Sequence, residues 1–201
     1  MQLKFVDKRQ PIHISNDRLP HWDQSGCVQF ITFRLADSLP QNKLDEYKAE
    51  KDEWLTVHPK PWDEQQRNEY ISRFIRVVDK WIDAGYGECI LTRSDARSVL
   101  AEVMMHFDGQ QYLLHAYVIM PNHVHALISV GQEYTAQAIA KRWKQYSARK
   151  INELTNRSGI LWETSSFDHM VRNPDEYERK LRYILENPRN LPIGAFSLYI
   201  R

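Results

Sequence analysis

Apolar residues recur at the three- and four-residue spacing of amphipathic helices along much of this chain. The pattern predicts helices over residues 44–54, 63–84, 94–107, 135–155 and 174–186. Prolines and glycines support these limits, because 58–62 contains two prolines, Gly85 and Gly87 follow the second helix, and Pro188 follows the last. We therefore expect five helices.

Shorter apolar runs between turn residues predict strands. These runs cover residues 27–35, 111–120, 123–130 and 160–163. Pro121 and Asn122 separate the second run from the third, so these two strands should pair as a hairpin. Residues 1–25 show no regular pattern and are predicted to be irregular. An α+β fold, an antiparallel sheet with helices packed mainly on one face, satisfies this order of elements.

The third predicted strand contains the most informative pair of polar residues. His123 and His125 are two positions apart within an apolar run. In a strand, alternate side chains share one face, so both imidazoles should project from the same side of the sheet. Two neutral imidazoles on a rigid strand can hold a divalent metal ion. The pair alone is weak support for a metal site, because a third ligand is normally needed and this segment contains none.

Composition limits the class of protein. The chain has 201 residues, 42% of them hydrophobic and 26% charged, as in an ordinary soluble domain with a sizeable core. Its two cysteines provide neither a disulfide framework nor a cysteine-based zinc site, and indicate reduced thiols. The apolar runs are too short to cross a bilayer, and the opening residues contain no apolar signal core. These features predict a cytoplasmic protein without membrane contact.

The net charge of +1 is uninformative, but the distribution of charge is not. Residues 141–157 hold six basic side chains and one acidic one, directly after the histidine strand. The basic residues are Lys141, Arg142, Lys144, Arg149, Lys150 and Arg157. Such a segment fits a nucleic-acid backbone, although a solvated helix face explains it equally well.

Tyr146 lies within this basic helix, at the edge of its apolar stripe, with Lys150 and Glu153 on the same side. A phenol there can attack a phosphodiester if a metal ion polarises the phosphate and nearby cations stabilise the developing charge. The attack would leave a covalent phosphotyrosine that conserves the bond for later rejoining. The alternative is a tyrosine that only packs at the boundary of the core.

Four blocks of sequence resemble one family. They are RLPHWDQSG…FITFRLADSLP at 18–40, YVIMPNHVHALI at 117–128, KRWKQYSARKIN at 141–152, and the segment 158–188 that ends in LRYILENP. Together they resemble the HUH endonucleases (His, hydrophobic, His) and, more narrowly, the REP-associated tyrosine transposases. The resemblance covers nearly the whole chain.

The resemblance implies a ferredoxin-like fold over one catalytic domain, 1–201, with a helical insertion around 41–90 and a C-terminal segment at 158–201. It implies that His123 and His125 bind Mg²⁺ or Mn²⁺. It implies that Tyr146 attacks single-stranded DNA, keeps the 5′-phosphate and frees a 3′-hydroxyl. The DNA partner would be a short palindromic repeat that folds as a hairpin, of the repetitive extragenic palindrome type.

Relatives often place a Gln or Asn one helical turn after the tyrosine, as a further metal ligand. Here that position is Lys150, which cannot bind a metal ion while protonated and is instead expected at the phosphate. Other candidates for the third ligand are Glu153, Glu163, Asp168 and His169. Expected DNA contacts are Lys141, Arg142, Lys144 and Arg149, with Trp143, Trp162 and Phe167 as candidate stacking residues.

Three functions are compatible with these residues. The preferred one is metal-dependent nicking and strand transfer on single-stranded DNA. A hairpin-binding protein with weak or lost cleavage is the second, and a metal-dependent phosphoesterase that does not use Tyr146 is the third. A monomer is preferred over a homodimer that shares its active sites.

Overall fold

The structure of the protein is a computed structural model that describes residues 3–7, 9–16 and 20–201. Its strands are β1 (His13–Asn16), β2 (Pro20–Asp23), β3 (Val28–Arg34), β4 (Tyr112–Ile119), β5 (His123–Val130), β6 (Phe167–Met170) and β7 (Ser197–Ile200). Its α-helices are α1 (Gln41–Val57), α2 (Glu64–Tyr70), α3 (Arg76–Asp83), α4 (Ser94–Met105), α5 (Ala136–Leu154) and α6 (Pro174–Glu186). A π-helical segment, Ile71–Ile75, joins α2 to α3, and 3-10 turns occupy Ile90–Thr92 and Asn187–Asn190.

Five strands form the main sheet, in the order β6-β3-β5-β4-β7. Each neighbouring pair is antiparallel, including the predicted hairpin of β4 and β5. Without the edge strand β7, this is the order of a ferredoxin-like β-α-β-β-α-β unit. The predicted α+β fold with an antiparallel sheet is confirmed. Strand β5 is central, and all eight of its residues are buried.

The sheet separates two apolar layers. On one face, Ile31, Phe33, Val124 and Ala126 pack with helices α4 and α5 in the larger core. On the opposite face, strand residues that include Phe30 pack with helix α6 in a smaller core. The prediction of helices mainly on one face therefore holds for α4 and α5, while α6 covers the other face. This division decides which helices can reach the histidines.

Aromatic side chains hold the region 41–90 together. Trp54 is buried and packs against Trp62, Tyr70 and Phe74, with ring centroids 5.2, 5.4 and 5.9 Å away. The helix predicted over 63–84 is present as α2, the π-helical segment and α3. We call this region, residues 41–90, the helical insertion.

Two sequence predictions about strands were wrong, and one further strand was missed. Residues 13–16 and 20–23 pair as a two-stranded sheet within the region predicted to be irregular. The strand predicted at 160–163 is reduced to one bridge, Trp162 with Leu35, and β6 forms a few residues later. The edge strand β7 was not predicted. Such short strands contain four residues each, so their pairing depends on neighbours distant in sequence more than on their own pattern.

No helix in the described ranges is long and apolar enough to cross a membrane.

Candidate functional site

Strand β5 places both histidines on the face that α6 covers. In the register, His125 lies opposite Thr32 and His123 lies opposite Arg34. Both imidazoles are almost fully buried, at 1% and 3% exposure, and their ring centroids are 4.7 Å apart. The expectation that His123 and His125 converge from one face is met by this geometry.

Asn122 fixes the orientation of the His123 ring. The Asn122 amide nitrogen donates to the carbonyls of Ile82 and Tyr86, both at 3.1 Å, so its oxygen must face His123 Nδ1, 2.8 Å away. Nδ1 therefore carries the proton and donates it to Asn122, which leaves a lone pair on Nε2. Nε2 is buried without a hydrogen-bond partner among the described residues. Burial lowers the pKa of His123 to about 3, so the ring is neutral and ready to bind a metal ion.

His125 is held in a similar way. Its Nδ1 lies 2.7 Å from the Thr32 hydroxyl, and its ring stacks on Phe30 with centroids 5.4 Å apart. Burial, together with the nearby His123 and the positive charge of Lys180, keeps the pKa of His125 well below its usual range. Its Nε2 faces helix α6. Both histidines are therefore neutral. Asn122 orients the ring of His123, and Thr32 orients the ring of His125.

Two oxygen-bearing side chains complete this cluster. Asp83, at the end of α3, has its Oδ1 3.6 Å from His123 Nε2, and one ligand atom each from Asp83, His123 and His125 all lie within 4.8 Å of one another. Asn187, directly after α6, hydrogen-bonds with Asp83, while its own Oδ1 is buried without a partner in the described chain. Two imidazole nitrogens beside a carboxylate and an amide oxygen are a donor set that fits a divalent cation.

A tyrosine from α6 reaches the same cluster. The Tyr183 hydroxyl lies 3.4 Å from His125 Nε2, and the two ring centroids are 5.0 Å apart. Lys180, one helical turn earlier, places its ammonium 4.2 Å from the centre of the Phe30 ring, beneath His125. Tyr183 precedes Asn187 by one helical turn. Helix α6 thus brings a phenol to His125 and a cation to the Phe30 ring that stacks on His125, and Asn187 follows the helix beside Asp83.

Tyr146, the tyrosine predicted at the site, is elsewhere. It lies on α5, which packs with α4 on the opposite face of the sheet. Its neighbour Trp143 is buried against Phe33 and Tyr112 in that layer, and the Tyr146 side chain is 54% exposed to solvent. The sheet lies between Tyr146 and the histidines, so the structure does not bring them together. The expectation that Tyr146 lies at the histidine pair is therefore corrected.

The other candidates for a third metal ligand do not join the cluster either. Lys150 and Glu153 are exposed on α5, on the side of the sheet away from the histidines. Glu163 pairs with Arg34 at 3.1 Å, and His169 lies 2.9 Å from Glu176. Within the described ranges, the cluster of side chains that could hold a metal ion contains Asp83, His123 and His125 and does not include Asp168.

Residue-pattern reasoning missed Tyr183, Asn187 and Asp83. For the first two, a signal was present. The resemblance predicts a Gln or Asn one turn after the tyrosine, and Tyr183 with Asn187 satisfies that spacing, whereas Tyr146 with Lys150 does not. For Asp83, the sequence contains no comparable signal, because only the packing of the helical insertion brings it near β5.

Comparison with known proteins gives a family. Residues 88–187, about half of the chain, match the family model described as "Transposase IS200 like". This chain belongs to that transposase family. The matched segment includes β4, β5, α5 and α6 and ends at Asn187. Membership makes the protein a DNA-processing enzyme of the transposase type.

Solved structures of similar fold include two transposase-related chains. One is a REP-associated tyrosine transposase bound to a REP hairpin, with 14% identity, coverage of 83% of this chain and 68% of the other, and a TM-score of 0.42. The second is a candidate transposase from Deinococcus radiodurans R1, with 15% identity, coverage of 80% and 89%, and a TM-score of 0.37. No curated protein sequence matches the chain.

The basic residues of the transposase divide into exposed and structural groups. Lys141, Arg142 and Arg149 are exposed along α5, as expected for contacts with a polyanion. Lys144 is only 8% exposed, and its ammonium donates to the carbonyls of Glu163 and Thr164. Lys144 therefore holds the loop after α5 in place, and the prediction that it contacts DNA is corrected.

The three aromatic residues predicted to stack on DNA bases also differ in exposure. Trp143 and Trp162 are buried, and the Trp162 indole donates to the Ser147 hydroxyl at 2.9 Å. Phe167 is 38% exposed at the edge of the transposase sheet. Of these three aromatic rings, only Phe167 is accessible to a nucleotide base.

A groove between α4 and α5 surrounds Tyr146. Its volume is about 360 Å³. Basic side chains dominate its charged lining, which consists of Arg142, Arg149 and Lys150 with one acid, Glu102. His106 and Phe107 line its other side. The transposase thus has an aromatic and basic groove on the face of the sheet opposite the histidines.

Proposed function

We propose that this protein nicks single-stranded DNA and transfers the strand through a covalent bond to Tyr183, with a divalent metal ion bound by His123 and His125. The observation that carries the proposal is the 3.4 Å separation of the Tyr183 hydroxyl from His125 Nε2. A phosphate bound at the imidazole pair would lie within reach of that hydroxyl. The nucleophile predicted from the sequence, Tyr146, has no such position.

Asn187 is the proposed third ligand. Its side chain hydrogen-bonds to Asp83, its Oδ1 is buried without a partner in the described chain, and its spacing from Tyr183 is the one that the family resemblance implies for the polar ligand. A mixed set of nitrogen and oxygen ligands supports Mg²⁺ or Mn²⁺ as the ion. When bound, such an ion polarises a phosphate and stabilises the charge that develops during displacement.

The reaction assigns a distinct role to each side chain. The Tyr183 oxygen attacks phosphorus and gives up its proton to water, while the bond from phosphorus to the 3′-oxygen breaks and that oxygen is protonated. The products are a 5′-phosphotyrosine and a free 3′-hydroxyl, and the reverse reaction rejoins a strand. Lys180 is close enough to influence His125 electrostatically and can approach the non-bridging phosphate oxygens.

The groove between α4 and α5 is the proposed second DNA contact. Arg149 and Lys150 would hold phosphates, and the exposed ring of Tyr146 would stack on an unpaired base. This surface and the histidine site lie on opposite faces of the sheet, so one DNA molecule must extend around the domain. We propose a hairpin with a single-stranded flank as the DNA that reaches both surfaces.

A protein-bound DNA adduct tests the chemistry. We would incubate the protein and Mn²⁺ with a pool of hairpin oligonucleotides that have randomised flanks and a fluorophore at the 3′ end, because the fragment joined to tyrosine retains that end. A fluorescent protein band on a denaturing gel is expected from the wild type and Tyr146→Phe, and is expected to be absent from Tyr183→Phe.

Other results would support the alternatives. An adduct that persists in Tyr183→Phe and disappears in Tyr146→Phe would restore Tyr146 as the nucleophile. DNA binding by the wild type without any adduct would support the hairpin-binding function. Hydrolysis of small phosphate esters at equal rates in the wild type and Tyr183→Phe would support the phosphoesterase.

A further inference from the structure

Asp83 lies at the histidine pair although it is far upstream in the sequence. It is the last residue of α3 in the helical insertion, and its Oδ1 is 3.6 Å from His123 Nε2. The HUH pattern and the tyrosine with its following amide do not account for it. The helical insertion, whose role the sequence left open, therefore contributes a carboxylate to the centre of the candidate site.

The two facing atoms are both hydrogen-bond acceptors. Asn122 receives the proton of His123 Nδ1, so Nε2 presents a lone pair, and the Asp83 carboxylate presents lone pairs of its own. Nothing in the described chain donates a hydrogen bond to Nε2. Two acceptors that face each other repel, and a cation between the buried His123 nitrogen and the Asp83 carboxylate, whose side chain is 45% exposed, would reverse the sign of that interaction.

The position of the carboxylate is fixed from both sides. Asn122, at the start of β5, donates to the carbonyls of Ile82 and Tyr86, which flank Asp83 in the chain. The Asn187 side chain, at the end of α6, hydrogen-bonds to the Asp83 carboxylate. Three separate segments therefore converge on this half-exposed group.

We propose that Asp83 is a direct ligand of the metal ion, so that the helical insertion supplies the one negatively charged ligand of the centre. The inference rests on the proposed function and deepens it at the same site. A carboxylate is a preferred ligand for Mg²⁺ and Mn²⁺, and its charge strengthens the binding of a divalent ion that two neutral imidazoles and an amide would bind only weakly.

Calorimetric titration with Mn²⁺, without DNA, tests the assignment. Asp83→Asn preserves the size of the side chain but removes its charge, and we expect the dissociation constant to increase at least about tenfold, since even second-sphere changes at metal sites cost this much. Asp52→Asn, an exposed carboxylate on α1 of the same insertion, is the matched control and should bind Mn²⁺ like the wild type.

A second variant reports on coordination itself. In Asp83→Ala loaded with Co²⁺, we expect the visible absorption spectrum to differ from that of the wild type, because an oxygen ligand is lost. Thermal unfolding without metal identifies any variant that fails to fold, and only folded variants are compared. Unchanged Mn²⁺ affinity in folded Asp83→Asn, or an unchanged Co²⁺ spectrum in folded Asp83→Ala, would overturn the proposal.

The variant His125→Ala distinguishes a failure of the metal centre from a failure of Asp83 as its ligand. Suppose that Mn²⁺ binds to the wild type and normally to Asp83→Asn but does not bind to His125→Ala. The metal centre at the histidines is then supported, and only the proposed role of Asp83 is wrong. If the wild type and His125→Ala bind Mn²⁺ alike, the metal centre of the proposed function fails, and the role of Asp83 fails with it.

Discussion

At the scale of single residues, local contacts decide whether a histidine can be a ligand. The alternation of β5 predicts that His123 and His125 share a face, and this much is readable from the sequence. The protonation of His123 depends on Asn122, whose amide is oriented by two carbonyls of the insertion. That contact joins segments distant in sequence, so no local pattern predicts it.

Asn122 should therefore control metal affinity without touching the metal ion. In Asn122→Ala, the His123 ring loses its Nδ1 acceptor and the end of α3 loses two hydrogen bonds. We expect Mn²⁺ binding to weaken by about 10- to 100-fold in calorimetric titration, as for other second-sphere partners of metal-binding histidines. Asn68→Ala, at an exposed position on α2, is the control, and equal affinity in both variants would contradict this role.

His115 lies outside the histidine cluster, and we expect it to make the free energy of unfolding depend on pH. It is buried, its Nε2 lies 2.8 Å from the Ser129 hydroxyl, and burial lowers its pKa to about 4. The unfolded chain takes up a proton below about pH 6.5 while the folded chain does not, so the free energy of unfolding should fall as the pH decreases from 6.5 to 4.

The contribution of this one group is at most about 3 kcal/mol, from its shift in pKa. Chemical denaturation at several pH values should show a smaller decrease in His115→Gln than in the wild type. The exposed His106→Gln serves as the control and should follow the wild type. A parallel pH dependence in His115→Gln and the wild type would contradict the assignment.

At the scale of elements, the two tyrosine-bearing helices show what periodicity can and cannot predict. Helix α6 was predicted with its observed limits, and α5 with limits one residue too wide at each end. Both are amphipathic and both carry a tyrosine near the edge of the apolar stripe. Periodicity defines which side of a helix is buried but not which face of the sheet buries it, so the choice between Tyr146 and Tyr183 required the packed structure.

If Tyr146 stacks on a base, DNA affinity should depend on its aromatic ring and not on its hydroxyl. Tyr146→Ala should weaken binding of single-stranded DNA by about 5- to 150-fold, which corresponds to the 1–3 kcal/mol of a base–aromatic stack. Tyr146→Phe should bind like the wild type, since the ring remains. Fluorescence anisotropy with the hairpin pool measures both, and an equal loss in Tyr146→Phe and Tyr146→Ala would argue against stacking.

At the scale of the whole molecule, the site joins three regions that are separate in sequence. The insertion provides Asp83, the central strand provides His123 and His125, and the last helix provides Tyr183 and Asn187. All of these residues belong to one chain. The strand alternation and the family resemblance were sufficient for the fold and for the histidines, while the remaining groups depend on long-range packing.

Such a site should couple metal binding to global stability. An ion that binds the folded chain at 100 times its dissociation constant stabilises it by about 2.7 kcal/mol, which raises the melting temperature by several degrees. Thermal unfolding with Mn²⁺ should show this increase, and EDTA should abolish it. His125→Ala should melt at the same temperature with and without Mn²⁺, and an equal increase in that variant would indicate binding elsewhere.

Tyr183 and Asn187 are separated by a single turn at the end of α6. A helix moves as a rigid body, so any tilt of α6 shifts the phenol and the amide by nearly the same vector. A DNA end attached to Tyr183 would therefore travel together with Asn187 while both histidines stay fixed in the central strand. If both residues act as proposed, a tilt of α6 would change their distances from the histidine pair together.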